Sequence, residues 1–186
     1  MKWSILICTI DARHDMFYKL AGFLQNQIKD RNQVELRYLC DSGGISIGVK
    51  RQILLEQATG EYINYVDDDD LVSEHYVKLI LEALKPRPDC VGIEGILRRQ
   101  SMPDAQFLHS LQYKCWYQNN GIYYRTPNHL NPIKRKLASK VGFIDKNHGE
   151  DRDYSDRIYK LLRTEVMIKY PIYFYYPGTT QNAFSI

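Results

Sequence analysis

Apolar and polar positions along the chain alternate between two periods. Residues 3–10 are almost all apolar and β-prone, which predicts a strand covered on both faces. Phe17, Leu20, Ala21, Leu24 and Ile28 then recur at helical spacing, so an amphipathic helix is expected from near Asp15. A second strand is expected over 34–40, with Asp41-Ser42-Gly43-Gly44 as its turn. Val49, Ile53, Leu54 and Ala58 mark a second helix closed by Gly60, and 62–66 reads as a third strand. Tyr76, Val77, Ile80, Leu81 and Leu84 belong to a third helix, stopped by Pro86 and Pro88 before a fourth strand over 90–97. From 101 to 131 polar residues mix with aromatics and neither period is legible. Beyond, 131–144 reads as a short strand and a helix carrying Leu137, Ala138 and Val141. A helix follows over 150–162, with Tyr154, Ile158, Leu161 and Leu162 inward. Two terminal strands, 165–170 and 172–176, are separated by Pro171.

Strands alternating with helices predict an α/β fold: a doubly wound, mainly parallel sheet with right-handed crossovers. Such sheets bind ligands at the carboxyl ends of their strands. The first three strands each end in acid there, at Asp11, Asp41 and Asp67. After the third come four consecutive aspartates, Asp67 to Asp70. Adjacent carboxylates repel one another unless something cationic sits among them. Mg²⁺ suits such a place, since it binds one or two carboxylates together with substrate phosphates. The competing reading is a solvated acidic loop capping a helix that starts at Ser73 and Glu74. Alternation along an extended segment would put Asp67 and Asp69 on one side and Asp68 on the other. Asp70 is expected to be a helix-start residue.

Composition changes this picture little. At 186 residues the chain can build one substantial core and is too short for two ordinary domains. Its net charge of +3 neither demands nor excludes a polyanionic partner. The four cysteines form no C-x-x-C pair, and Cys8, Cys40 and Cys90 lie in apolar runs, reading as buried hydrophobes in a reducing compartment. The apolar stretch after Lys2 is too short for a signal peptide core, and no later stretch could span a bilayer. The expected location is the cytoplasm, that of the host if the protein is viral.

The motifs, taken in order, resemble the GT-A (Rossmann-like) nucleotide-sugar glycosyltransferases, specifically glycosyltransferase family 2, over nearly the whole chain. Ser4-Ile5-Leu6-Ile7-Cys8-Thr9-Ile10-Asp11-Ala12-Arg13 is similar to the family's first strand and nucleotide loop. Cys40-Asp41-Ser42-Gly43-Gly44 is similar to its Asp-Asp-Gly-Ser turn. Lys50-Arg51-Gln52 and Ala58-Thr59-Gly60-Glu61-Tyr62-Ile63 resemble its Ala-Arg-Asn helix and the strand that follows. Tyr65-Val66-Asp67-Asp68-Asp69-Asp70 resembles its Asp-x-Asp segment, placing that motif on Asp67 and Asp69. Asn131 to Lys136 and Val141 to Asp145 are similar to later segments, and Gly149-Glu150-Asp151 to the Gly-Glu-Asp motif that carries the base. Singly each motif is weak; the order and spacing make the likeness.

The resemblance implies a single domain, with about 1–100 as the nucleotide-sugar half and about 101–186 as the acceptor and catalytic-base half. It implies a metal-dependent, inverting transferase that moves a sugar from a nucleoside diphosphate sugar, a UDP-sugar first, to an acceptor hydroxyl. The acceptor could be a glycan, a protein or a modified nucleobase. Mn²⁺ or Mg²⁺ would offset the charge of the departing diphosphate, with Asp69 as direct ligand and Asp67 near the ribose or a metal-bound water. Asp151, with Glu150 beside it, would be the catalytic base, the competing reading being a helix cap. Thr9, Asp11, Arg13, Asp41, Arg51, Asp67 and Asp68 would contact the nucleotide sugar. Arg51 either faces phosphates or makes a salt bridge. His129 either touches phosphate, metal or acceptor, or is structural. Gly43-Gly44-Ile45-Ser46 departs from the family's Ser-Thr-Asp run, and no Gln-x-x-Arg-Trp follows Asp151, which argues against a processive synthase. Small size without accessory domains resembles the stand-alone enzymes of phages and large viruses. Two rival readings are a sugar nucleotidyltransferase, disfavoured by the glycine-free loop after strand one, and a nucleotide-sugar-binding module without catalysis, disfavoured by Asp151.

Overall fold

The computed structural model describes residues 2–100 and 102–177. Its centre is β1 (Trp3–Ile10), paired in parallel with β2 (Val34–Asp41) on one side and β3 (Tyr62–Tyr65) on the other. The nearly all-apolar run of β1 follows from its period of two between two helical layers. Trp3, Ile5 and Ile7 pack toward α1 (His14–Ile28) and α3 (Tyr76–Leu84). Leu6 and Cys8 pack toward α2 (Ile47–Gln57) and α5 (Glu150–Ile158) on the opposite face. β2 lies at the sheet edge and alternates in burial, so Cys40 points outward and is exposed, contrary to the expectation of a buried thiol. Cys8 and Cys90 are buried as expected.

Beyond β3 the sheet continues through the short β9 (Ile133–Lys134) to β5 (Cys90–Leu97). Strand β5 is then flanked by β6 (Ala105–His109) and by β10 (Glu165–Tyr175), and β10 also pairs with the short β4 (Leu71–Val72). The long pairings, β1 with β2 and β5 with β10, are parallel; several short ones are antiparallel. Helix α4 (Arg135–Val141) follows β9 directly.

Two local readings are corrected. The expected pair of terminal strands is one strand, β10, whose register against β5 shifts on both sides of Pro171. Proline donates no ladder hydrogen bond, but a bulge tolerates it and pairing resumes beyond. The segment without a legible period holds β6, then β7 (Tyr117–Asn119) and β8 (Ile122–Arg125) as a hairpin. Asn120 and Gly121 both have positive φ (49° and 78°), the two-residue turn that Asn-Gly favours. That dipeptide was the readable signal.

Glu35 clips β2 to the turn before β3. Its carboxylate accepts from Ser4 Oγ (2.5 Å), Thr59 N–H (2.6 Å) and Thr59 Oγ1 (2.9 Å). Burial raises its pKa, but these donors outweigh burial and lower it to about 2 from 4.5. A depressed carboxyl stabilises the fold above its unfolded pKa and loses that contribution as pH falls toward the folded one. Glu35→Gln should therefore flatten the loss of melting temperature between pH 5 and pH 2; an unchanged acid limb would rule this clip out.

Candidate active site

The parallel register brings the carboxyl ends of β1, β2 and β3 to one edge of the sheet, with Ile10 beside Asp41. The four consecutive aspartates are partnered differently there, except that Asp68 and Asp69 share Arg13. Asp67 accepts from Arg51 Nη2 (2.9 Å) and lies 3.2 Å from His129 Nε2. Asp68 accepts from Thr9 Oγ1 (2.7 Å) and Arg13 Nη1 (2.7 Å). Asp69 has the same Arg13 at 3.2 Å. Asp70 is buried and accepts from Tyr173 Oη (2.7 Å) and Tyr176 N–H (2.8 Å).

Two expectations are thereby corrected. Residues 68 and 69 form a turn, so Asp68 and Asp69 share Arg13 instead of alternating. Asp70 starts no helix, since α3 begins at Tyr76; it ties the acidic turn to β10.

The electrostatic consequences differ accordingly. Burial alone would raise Asp67, but His129 and Arg51 outweigh it and hold the carboxyl well below its usual range. Burial and then Asp67 raise Asp70 well above that range, with its hydrogen bonds from Tyr176 N–H and Tyr173 Oη opposing. Asp69 is pushed up to about 6 by burial and by Asp67, with Arg13 opposing.

Arg51 is buried between two acids, Asp67 and Glu150, with its guanidinium 5.7 Å from the Tyr65 ring centre and 5.9 Å from that of Phe143. The salt-bridge alternative for Arg51 is what its side chain does here. Glu150 is buried at the start of α5 and committed to Arg51. Gly149, just before α5, has φ +78°, a conformation that suits glycine at this sharp entry. Asp151 is half-buried and accepts from the N–H of Arg152 (2.8 Å).

Two clefts meet at Asp67 and Tyr175. The larger, open cleft of about 1050 Å³ is lined by Thr9, Arg13, Lys50, Arg51, Asp69 and Glu150, among others. The narrower recess of about 500 Å³ is lined by His109, Tyr123, Arg125, Asn128, His129 and Asp151, among others. Asp11 and Asp41 line neither. Asp11 is exposed beside Cys40, and Asp41 is paired with Lys50 while accepting from Ile45 N–H (2.8 Å). Sequence reasoning missed Lys50, which is buried and donates to Thr9 C=O (2.9 Å). It missed Tyr173 and Tyr175 of β10, and also His109 and Arg125. Lys50 and Arg51 side by side in a helix with apolar neighbours were a usable hint; the others had no local signal.

Among the described residues, no three His, Cys, Asp or Glu side chains converge as an all-protein metal cage. The donor set fits a cation that takes one or two carboxylates and completes its shell elsewhere. No helix among the described residues is long and apolar enough to cross a membrane.

No family model matches the chain, and no curated protein matches it. Solved structures do. S. aureus TarS 1-349 in complex with UDP-GlcNAc superposes with a TM-score of 0.68 at 17% identity, covering 100% of this chain and 62% of that one. S. aureus TarS 1-349 alone gives a TM-score of 0.67 at 15% identity, covering 95% and 60%. A mannosyltransferase from Pyrobaculum calidifontis, in complex with GDP-Man and Mn²⁺, gives 0.61 at 13% identity, covering 93% and 56%. The chain thus spans about 60% of the length of these proteins. At such identities the likeness is one of fold, and the fold is GT-A: mixed α/β, with a mostly parallel central sheet flanked by helices.

Proposed function

We propose that the chain is a metal-dependent, inverting glycosyltransferase that moves a sugar from a nucleoside diphosphate sugar, a UDP-sugar first, to an acceptor hydroxyl. The observation that carries this reading is the meeting of two clefts at Asp67, with Asp69 in the open one and Asp151 in the other. A donor and an acceptor can then approach the same point from two sides. The neighbouring folds with UDP-GlcNAc, and with GDP-Man and Mn²⁺, support a nucleotide sugar in the open cleft.

In this reading Mn²⁺ or Mg²⁺ would be held chiefly by Asp69, which lines the open cleft and pairs with Arg13, with Asp67 behind it. Bound there, the ion supplies Lewis-acid stabilisation for the diphosphate as it leaves. Asp67 contributes less directly, because its oxygens already face Arg51 and His129. Thr9 and Arg13 hold Asp68, and Arg13 also steadies Asp69. Asp151 takes the proton of the acceptor hydroxyl as that oxygen attacks the anomeric carbon. The carbon–oxygen bond to the diphosphate breaks, and the nucleoside diphosphate departs with the electron pair. Attack from the recess, opposite the departing group, inverts the anomeric centre. The division of labour follows the halves of the chain, donor contacts before residue 100 and the base after it.

The test is a thermal melt with Mn²⁺ alone, nucleotide alone and both together, for UDP, GDP and dTDP. Ligand at a hundredfold excess over its dissociation constant adds about 2.7 kcal/mol. Each kcal/mol moves the midpoint by roughly 2–4 °C at this size, so about 5–10 °C of synergistic shift is expected. Asp69→Ala should remove the synergy while folding normally, because Asp69 has no partner but Arg13 among the described residues. Absence of synergy for every nucleotide in the unsubstituted protein would overturn the donor-site reading.

A further inference from the structure

The end of the sheet remote from the acids carries the opposite charge. A cleft of about 670 Å³ there is lined by Arg87, Lys134, Arg135, Lys136 and Glu61, four cations and one acid. Glu61 immediately precedes β3, and Lys134 of β9 sits opposite Tyr62. Asp67 follows the other end of β3, so at about 3.3 Å per residue the cleft lies roughly 15–20 Å from the proposed donor site. A run of three cations is ordinarily solvated surface. Here backbone bonds lock the segments together. Arg135 N–H donates to Glu61 C=O (2.8 Å) and Lys134 N–H to Asp89 C=O (3.0 Å). Tyr62 Oη donates to Pro88 C=O (2.7 Å), which fixes the Arg87 turn against β3.

Arg135 and Lys136 have no carboxylate among the described residues. Asp89 engages Lys134 Nζ (2.9 Å) through one oxygen and the N–H groups of Arg163 (2.9 Å) and Thr164 (3.3 Å) through the other. Glu61 stands 3.9 Å from Arg87. Arg135 donates Nε–H to Gly60 C=O (2.7 Å), which fixes the guanidinium and leaves both Nη groups without a partner among the described residues. Lys136 is exposed and has none there either. Arg87 supplies a second observation. Its φ is +59°, a left-handed conformation that is strained for a residue with a Cβ. Its N–H closes α3 by donating to Leu84 C=O (2.9 Å), a place that glycine ordinarily fills. Glycine would relieve this backbone but would remove the guanidinium from the cleft. Strained positions of this kind cluster where a ligand is held.

We propose that this cleft is a second anion site, for a compact ligand bearing two or three linked phosphates, recognised by Arg87, Arg135 and Lys136. A guanidinium matches phosphate oxygens as a bidentate fork, and an ammonium adds a point charge. Among the described residues no aromatic or apolar side chain lines the cleft, so it offers no stacking face for a base and no wall for a sugar ring. The phosphates themselves are what it reads, whether they arrive as free polyphosphate or as the tail of a nucleotide. A nucleic-acid backbone fits less well, because the cations are gathered in one cleft of small-molecule size. The site is separate from the donor cleft, and the proposal does not rest on the transferase reading.

The experiment is calorimetric titration with tripolyphosphate in EDTA, so that no divalent cation draws the anion to the acidic cleft. The unsubstituted protein should bind it saturably, and far more tightly than sulfate at matched ionic strength. Lys136→Glu should weaken binding by about tenfold or more, the loss of one charge-assisted contact, with the melting temperature unchanged. Arg87→Gly should weaken it by a similar factor while the melting temperature holds or rises, because glycine adopts this φ freely. An arginine kept for structure alone would give the reverse, a lower melting temperature and unchanged affinity. Glu61→Gln should tighten binding by removing the one acid on the wall. ATP binding as well as tripolyphosphate shows that a nucleotide tail suffices; ATP binding about tenfold more weakly assigns the site to free polyphosphate. Absence of saturable binding, or binding that neither cation variant weakens, overturns the proposal. So does a short single-stranded oligonucleotide that binds about tenfold tighter than tripolyphosphate through the same residues, since the cleft is then part of a nucleic-acid surface. Should Arg87→Gly not fold, exposed Lys136 decides alone. The synergy of UDP with Mn²⁺ reports separately on the donor cleft, so either idea can fail by itself.

Discussion

Asp151→Asn is expected to cut sugar transfer by about 10² to 10⁴ while leaving nucleotide binding nearly intact. Asp151 lines the recess and not the open cleft, so its removal should spare the donor. Asp151 accepts a hydrogen bond from the N–H of Arg152 (2.8 Å). Asparagine preserves that acceptor and the shape, and it removes the charge and with it the ability to take a proton. The adjacent acid behaves differently, because Glu150 is buried against Arg51. Glu150→Gln should lower the melting temperature more than Asp151→Asn does. Transfer rates under donor saturation, set beside nucleotide dissociation constants, separate the two roles. Turnover within a few-fold of the unsubstituted enzyme in Asp151→Asn would remove Asp151 as the base.

Arg51→Met is expected to destabilise the fold by about 3–5 kcal/mol, the cost of leaving buried charge without its partner. The guanidinium stands between Asp67 and Glu150 and is 4% exposed, so its loss abandons two carboxylates at once. At roughly 2–4 °C per kcal/mol for a domain of this size, the midpoint should fall by about 6–20 °C. Adding Asp67→Asn and Glu150→Gln should restore part of the loss, because the abandoned groups then carry no charge. Thermal melts of the single and triple variants check this. A fall of under 2 °C in the single variant would mean that solvent, not Arg51, balances those acids.

Much of the fold was legible because it rests on local periods. The β1 run, the stripe Phe17-Leu20-Ala21-Leu24 and the breaks at Pro86 and Pro88 each follow from neighbours within a few residues, and the elements fall where these place them. Likewise, acids at the ends of consecutive parallel strands share an edge, because the parallel register leaves them no alternative. The segment over 101–131 was opaque for a matching reason. Strand β8 is half-buried along its length, so it shows neither alternation nor a continuous apolar run. Its pairing with β6 is parallel and non-local.

The sequence by itself thus determined the α/β class, the strand edge that carries the acids and the helix that presents Glu150 and Asp151. Only the tertiary structure decided what each acid does. Four adjacent carboxylates are chemically identical in sequence, and their differences come from partners far along the chain. Tyr173 reaches Asp70 across 103 positions, Glu150 reaches Arg51 across 99, and His129 reaches Asp67 across 62. The recess arises in the same way, from β5, β6, β8, β10 and the 128–130 turn brought together. Periodicity specifies which face of an element is buried; which charge that face meets depends on packing between distant elements, and that packing sets the pKa of Asp69.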